Sequence, residues 1–214
     1  MPLTDLIDGK LGGSAPLRNE PVQARSTARL TALLDAAASA VHELGYERLT
    51  TAMVAERAGA SIGTVYRYFP DRIAVLQALA SRNLERVLTG IHAAYGDPSL
   101  ADWRSAVGAG FDIYVEAFRT EPGFGSLRSG DIIDLRPATT PNTLNSHIAS
   151  VMMQTLNKRF GTDSSIETQF AFEKAVEVMD ALVARAFARQ AGGDPAFLAS
   201  GKTLVLSILS ERLG

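Results

Sequence analysis

An apolar stripe at helical spacing constrains the fold more than any other feature of this sequence. Between Ser26 and Gly45, apolar side chains recur every three or four residues. They are Leu30, Leu33, Leu34, Ala37, Val41 and Leu44. This spacing places them on one face of an amphipathic α-helix, and Gly45 offers the left-handed conformation that commonly ends a helix. The segment therefore predicts a first helix that buries one side against other elements.

The rest of the chain continues the helical pattern, with breaks at Gly and Pro. Longer helices are predicted at residues 71–96, 99–120, 141–160, 165–190 and 195–213. No alternating strand pattern and no hairpin dipeptide competes with them. The sequence therefore predicts an all-α fold.

The segment 50–69, TTAMVAERAGASIGTVYRYF, predicts two short helices joined by a tight turn. Thr50 or Thr51 is expected to cap the first helix and Ser61 the second, while Gly59 permits the turn. Val65 and Phe69 are expected to pack against the first long helix. The side chains left to face outward are Thr64, Tyr66, Arg67 and Tyr68. Hydroxyl and guanidinium groups donate to phosphate and base-edge oxygens, so this face predicts DNA contact.

Two alternatives remain for these outward residues. Both tyrosines could pack as core aromatics, because Tyr is often partly buried. Arg57 and Arg67 could be solvated surface charges.

The combination of motifs is similar to the DNA-binding domain of TetR-family regulators. The resemblance covers about Ser26 to Leu79 and rests on LGYE at 44–47, TT at 50–51, VAERAGAS at 54–61 and GTVYRYFPDR at 63–72. It implies an N-terminal three-helix helix-turn-helix DNA-binding domain, followed by a larger helical ligand-binding and dimerisation domain. The expected divisions are a flexible arm at 1–24, the DNA-binding domain at 25–80 and the helical domain at 81–214. Arg18 in the arm and Arg25 directly after it are candidates to reach DNA.

The resemblance also implies which residues contact DNA. The start of the second helix and Arg72 would hold phosphate, and the recognition helix would contact bases. The full expected set is Thr50, Thr51, Ser61, Ile62, Gly63, Thr64, Tyr66, Arg67, Tyr68 and Arg72. Ala52 and Ile62 depart from the polar or basic residues found in some relatives. Methyl contact and DNA shape would then carry more of the specificity.

For the C-terminal domain, the resemblance implies a ligand cavity and a homodimer built through the last two helices, 165–190 and 195–213. Aromatic and methionine side chains suit an apolar ligand with one or two polar handles. The candidates are Trp103, Phe111, Tyr114, Phe118, Met152, Phe172 and Met179. Alternatively, these are ordinary core residues.

Charge argues for a local DNA contact rather than a basic surface. The formal net charge is −2, whereas a general nucleic-acid binder is strongly positive. The chain has no cysteine, which excludes disulfides and Cys-ligated metals. Three histidines (His42, His92 and His147) lie far apart on different predicted helices, so no metal site is expected. The sequence has no P-loop or GxGxxG motif, so no cofactor and no enzyme activity are expected. Asp131 and Asp134 could form a carboxylate pair, but a solvated loop explains them more simply.

The sequence thus predicts a repressor that leaves a palindromic operator when a small, largely apolar ligand binds. The expected partners are double-stranded DNA, an unidentified effector and a second copy of the chain. No apolar run suits a membrane span and no leader pattern is present, so a cytoplasmic location is expected. The alternative is a ligand-binding helical dimer that has lost specific DNA binding.

Overall fold

The computed structural model describes residues 20–128 and 144–214, and every regular element in these two stretches is helical. The all-α prediction is therefore confirmed. In chain order the elements are α1 (Glu20–Leu44), a 3₁₀ turn (Tyr46–Arg48), α2 (Thr51–Arg57), α3 (Ile62–Tyr68), α4 (Arg72–Gly96), α5 (Trp103–Thr120), α6 (Phe124–Arg128), α7 (Leu144–Phe160), α8 (Ile166–Arg189) and α9 (Pro195–Leu213).

The chain divides into two compact units, Met1–Leu79 and Ala80–Gly214. Helix α4 begins in the first unit and ends in the second. Residues 20–24, assigned to the arm from the sequence, are helical. The rest of the predicted arm, with Arg18, lies outside the described residues, as do Asp131 and Asp134.

In the first unit, α1 buries the predicted stripe. Leu33, Ala37 and Val41 are almost fully buried, and the helix packs against α2. Gly45 ends α1 with φ +82°, a value that L side chains rarely adopt. The chain can therefore turn sharply into the 3₁₀ segment and α2.

The helix-turn-helix forms as its capping residues predict. Thr50 Oγ1 accepts a hydrogen bond from the backbone N–H of Met53 at 3.2 Å, and Ser61 Oγ accepts one from Thr64 N–H at 3.1 Å. Gly59 occupies the turn with φ +57°. Each cap satisfies an N–H group that a helix start leaves unpaired. The predicted turn and the Ser61 cap are confirmed, and Thr50 is the residue that caps α2.

In the second unit, α9 lies along α8, and α5 packs against both. Gly201 of α9 sits at this junction, where a Cβ atom would lie 3.2 Å from the Phe111 ring and 3.4 Å from Leu182 Cβ. Glycine therefore permits the close approach of three helices. The largest fully buried side chain of α8 is Phe172.

Arg159, near the end of α7, stabilises the connection between α4 and α5 through hydrogen bonds. Its guanidinium donates to the carbonyl oxygens of Asp97 at 2.5 Å and Leu100 at 2.6 Å, and also to that of Tyr95. These acceptors include carbonyls at the end of α4, which lack partners inside the helix. Within the described ranges, none of the helices combines the length and apolarity needed to cross a membrane.

Candidate functional site

Helix α3 presents one buried and one exposed side. Val65 and the following Phe69 are buried, as predicted. Ile62 is 43% exposed and Tyr66 is 54% exposed, and Arg67 is exposed beside them. An isoleucine, a tyrosine and an arginine on the surface of one short helix offer apolar, aromatic and cationic contacts together. Ser61 and Gly63 are also exposed, whereas Thr64 is half-buried.

The start of α2 joins this surface through a hydroxyl pair. Thr51 Oγ1 donates to Tyr66 Oη at 3.3 Å, while Thr50, the cap of α2, is exposed. The structure thus brings Thr51 and Tyr66 together, and the exposure of Tyr66 disagrees with the alternative of a core aromatic. A paired phenol can still accept or donate one further hydrogen bond.

Tyr68 has a different environment. It is half-buried, and its hydroxyl lies 3.2 Å from Ser26 Oγ near the start of α1. Sequence reasoning missed Ser26, because only the tertiary fold places it beside α3. The pair ties α1 to α3 next to the exposed surface.

Some arginines of this unit form hydrogen bonds or ion pairs with other described residues, whereas Arg67 does not. Arg72, expected to clamp phosphate, is half-buried and donates to the carbonyl oxygen of Glu47 at 2.7 Å. Arg57 forms a two-pronged ion pair with Glu43, at 2.8 and 2.6 Å. Arg67 remains exposed and has no hydrogen-bond partner among the described residues. It is therefore the cation of α3 that is available to a phosphate.

The Glu43–Arg57 pair also shifts a protonation equilibrium. The hydrogen bond from Arg57 stabilises the carboxylate and lowers the pKa of Glu43 to about 2. Ser39 Oγ also donates to Glu43, at 3.2 Å. This cluster links α1 to α2 and so holds the helix-turn-helix against α1.

A small apolar cavity of about 10 Å³ lies among buried side chains of the second unit. Three of the candidate ligand residues, Met152, Phe172 and Met179, line it. The other lining residues, all apolar, are Val107, Ala175, Val176, Val205 and Leu209. A space of this size barely admits one water, and an apolar lining keeps it dry. A larger ligand therefore requires the two flexible methionine side chains to move.

A second, larger space of about 530 Å³ is an open cleft between α5 and α9. Phe111 contributes to its wall, together with charged side chains. Lys202 Nζ lies 2.7 Å from Asp112 Oδ2 there, so two of these charges already neutralise each other. A cleft lined by charged side chains suits an apolar ligand less well than the apolar cavity does.

The remaining ligand candidates line neither of these two spaces. Trp103 is buried with the Arg104 guanidinium 4.5 Å from its ring. Tyr114 donates a hydrogen bond to Asp180, and Phe118 stacks on Phe187 with ring centroids 5.1 Å apart. Their described contacts are those of core packing. In the part of the chain that the structure describes, no group of three or more His, Cys, Asp or Glu side chains could hold a metal ion.

Two family models match the chain, one in each unit. Residues 33–79 match "Bacterial regulatory proteins, tetR family", and residues 101–213 match "Tetracyclin repressor-like, C-terminal domain". A TetR-family transcriptional regulator of Streptomyces coelicolor has a similar structure, with a TM-score of 0.73 and 31% sequence identity over 86% of this chain and 99% of that one. The fatty acid degradation regulator FadR of Bacillus halodurans shares the fold at a TM-score of 0.63, with 15% identity over 87% of this chain and 95% of that one.

Similarity to curated relatives covers only part of the chain. The transcriptional repressor KstR of Rhodococcus jostii is 40% identical over 55 residues, which cover 26% of this chain and 26% of that protein. The transcriptional regulator BetI of Klebsiella pneumoniae is 33% identical over 84 residues, covering 37% of this chain and 43% of that protein. These matches therefore span less than half the length of either relative.

Proposed function

This chain belongs to the TetR family of bacterial regulatory proteins, and on that premise we propose that it is a homodimeric transcriptional repressor. It binds a palindromic DNA operator and leaves it when a small, largely apolar ligand enters the second unit. The observation that carries the proposal is the exposed side of α3, where Ile62, Tyr66 and Arg67 lie beside the capped start of α2.

The DNA contact depends on a small set of groups rather than on net charge. Arg67 supplies the cation, and Thr51 and Tyr66 supply hydroxyls, for phosphate oxygens. Ile62 offers an apolar surface to a thymine methyl group in the major groove. Because few polar side chains face outward from α3, DNA shape contributes much of the specificity.

The ligand site is the apolar cavity lined by Met152, Phe172 and Met179. Its lining favours a ligand whose buried part is hydrocarbon or aromatic. Since the cavity holds at most about one water molecule when closed, a ligand binds an expanded conformation. The ligand would therefore favour that conformation over the closed one.

Release from DNA requires the ligand to bind one conformation more tightly than the other. Switching from 1:99 to 99:1 needs about 5.5 kcal/mol of differential affinity. Helix α4 is the element through which this difference would pass, because it belongs to both units. A ligand that bound tightly yet left operator affinity unchanged would contradict this mechanism.

The first test is a titration of the protein into a duplex from upstream of its own gene and into a scrambled duplex, at two salt concentrations. We expect tighter binding to the upstream duplex and a steep loss with salt, because phosphate contacts release counterions. Arg67→Gln should reduce the slope of log affinity against log salt by about 1. Lys158→Gln is the matched control, since it removes an exposed cation of α7 in the other unit.

Equal and weak binding to all genomic duplexes would support the alternative, a ligand-binding dimer that has lost specific DNA binding. The hydrogen bond of Arg72 to the Glu47 carbonyl oxygen favours this alternative, because it engages one of the two arginines expected to contact DNA. Protection mapping across genomic fragments distinguishes this outcome from an operator located elsewhere.

A further inference from the structure

Helix α8 has an exposed side that no other described residue covers. Phe170, Lys174, Glu177, Ala181 and Arg185 are all exposed and recur every three or four residues, so they form one stripe along the helix. We refer to these five residues as the α8 stripe. Phe170 is 59% exposed, which is unusual for a large aromatic side chain on a charged helix face.

Helix α9 extends this surface. It packs along α8, and α5 contacts both helices from their buried side, as the position of Gly201 between Phe111 and Leu182 shows. On α9 the exposed residues are mostly small, and Leu204 among them is 46% exposed.

Two charges of the α8 stripe, Glu177 and Arg185, are arranged symmetrically about Ala181. Glu177 lies four residues before Ala181 and Arg185 lies four residues after it, which places each about 6 Å from it along the helix axis. Within the described residues neither side chain forms an ion pair or a hydrogen bond. The small side chain of Ala181 allows another helix to approach closely between them.

This arrangement is complementary to an antiparallel copy of itself. If two α8 helices cross antiparallel at Ala181, a two-fold axis brings each Glu177 opposite Arg185 of the partner subunit. A parallel pairing would instead place Glu177 opposite Glu177 of the partner subunit, and like charges disfavour such a contact. The charge pattern therefore selects one direction and one register.

We propose that a second copy of this chain docks on the α8 stripe, with the two α8 helices antiparallel and crossing at Ala181. Two reciprocal Glu177–Arg185 ion pairs flank the crossing and select the register. This inference rests on the proposed homodimer, and it adds the residues that determine how the two copies align.

Charge reversal tests the register. Glu177→Arg and Arg185→Glu each replace two attractive pairs with two repulsive ones, so each variant alone should raise the dimer dissociation constant about tenfold or more. An equimolar mixture should recover tight association as a heterodimer, because its two charge pairs are again opposite. The double variant Glu177→Arg/Arg185→Glu should recover the homodimer. Sedimentation velocity gives the dissociation constants, and native mass spectrometry of differently tagged chains identifies the heterodimer.

Lys158→Glu is the matched control, because it reverses an exposed charge of α7 that lies outside the α8 stripe. It should change the dissociation constant by less than about threefold. Wild-type dimerisation with no effect of the single reversals, or no recovery in the mixture, would overturn the register while leaving the homodimer intact. A wild-type chain that stays monomeric at every concentration would overturn the homodimer and the register together.

Discussion

Two buried tyrosines of the second unit differ in whether their hydroxyl group has a hydrogen-bond partner. Tyr95 is buried and its Oη has no hydrogen-bond partner among the described residues. Burial raises the pKa of this hydroxyl, because the apolar surroundings disfavour its charged form. Tyr114 is equally buried, but its Oη donates to Asp180. The two side chains therefore bury similar rings while satisfying their hydroxyls differently.

Tyr95→Phe and Tyr114→Phe should consequently shift stability in opposite directions. Removing an unpaired buried hydroxyl relieves a desolvation cost of about 1–3 kcal/mol, so Tyr95→Phe should raise the free energy of unfolding by about 1 kcal/mol. Removing the donor from Asp180 should lower it by about 1–3 kcal/mol, since hydrogen bonds to charged groups are the stronger ones. Urea unfolding of both variants measures the difference. A loss of stability in Tyr95→Phe would mean that the hydroxyl has a bound partner.

In our proposal, Ile62 recognises the operator sequence by contacting a thymine methyl group. Replacing the contacted thymine by deoxyuridine removes one methyl group and should weaken wild-type binding about fourfold, which corresponds to about 0.8 kcal/mol. Ile62→Ala should weaken binding to the thymine duplex but show no further loss with deoxyuridine, because the two changes remove the same contact. Fluorescence titration of the four combinations measures this coupling. Ile166→Ala, at an exposed isoleucine of α8, should retain the full deoxyuridine effect.

At the scale of elements, the turn between α8 and α9 provides a matched pair of glycines. Gly193 has φ +83°, and a Cβ atom there would lie 3.0 Å from Leu198 Cδ1 and 3.1 Å from Phe187 Cζ. The neighbouring Gly192 has no such φ and no atom within 4 Å of a Cβ position. Alanine at Gly193 should lower the free energy of unfolding by about 1–2 kcal/mol from backbone strain alone. Alanine at Gly192 should leave it unchanged or raise it by up to about 1 kcal/mol. Equal effects in thermal or urea unfolding would contradict this explanation.

The ion pair between α1 and α2 should make the stability of the first unit depend on acid pH. Because the folded pKa of Glu43 is depressed to about 2 from an ordinary value of 4.5, its contribution is fully present above about pH 4.5. It is then lost as the pH falls towards 2. Glu43→Gln should therefore destabilise the protein at pH 7, and the difference from wild type should shrink between pH 4.5 and 2. Glu56→Gln, at an exposed glutamate of α2 with no ion pair among the described residues, should show little effect over this range.

Helices and turns could be predicted from residue preferences close in sequence. The residues that line the cavity and the hydrogen bonds between distant segments could not. The Thr50 and Ser61 caps and the left-handed Gly45 and Gly59 follow from side-chain and backbone preferences within a few residues. The short helix α6 was not predicted, because five residues carry too little periodicity to identify a helix. The Arg159 contacts to the α4–α5 connection join residues about sixty positions apart. No local pattern encodes such a contact.

The candidate DNA-contact and ligand sites could also be predicted only in part from the sequence. The exposed side of α3 could be predicted because its buried side is set by helical spacing. The engagement of Arg72 by Glu47 could not, because it depends on where the 3₁₀ turn places a carbonyl group. Among the aromatic and methionine candidates, composition gave no means of separating the three that line the apolar cavity from those that pack elsewhere.

At the scale of the whole molecule, dimer geometry should determine which operators are bound tightly. In a two-fold dimer, the two copies of α3 reach half-sites on the same face of the DNA. Inserting five base pairs between the half-sites rotates one of them by about half a helical turn, because B-DNA has about 10–10.5 base pairs per turn. The affinity should then fall to that of a duplex with a single half-site. The same insertion outside the operator should have no effect.

The dependence of operator affinity on half-site spacing should itself depend on how tightly the two subunits associate. A wild-type dimer gains from a second half-site, because that contact becomes intramolecular once the first has formed. Glu177→Arg weakens the dimer without altering α3, so at concentrations where it is monomeric it should bind full and single half-site duplexes with equal affinity. Mixing it with Arg185→Glu should restore the preference for the full operator, which mobility-shift titration measures. If Glu177→Arg is monomeric and still prefers the full operator as strongly as wild type, then DNA rather than the α8 stripe holds the two subunits in register.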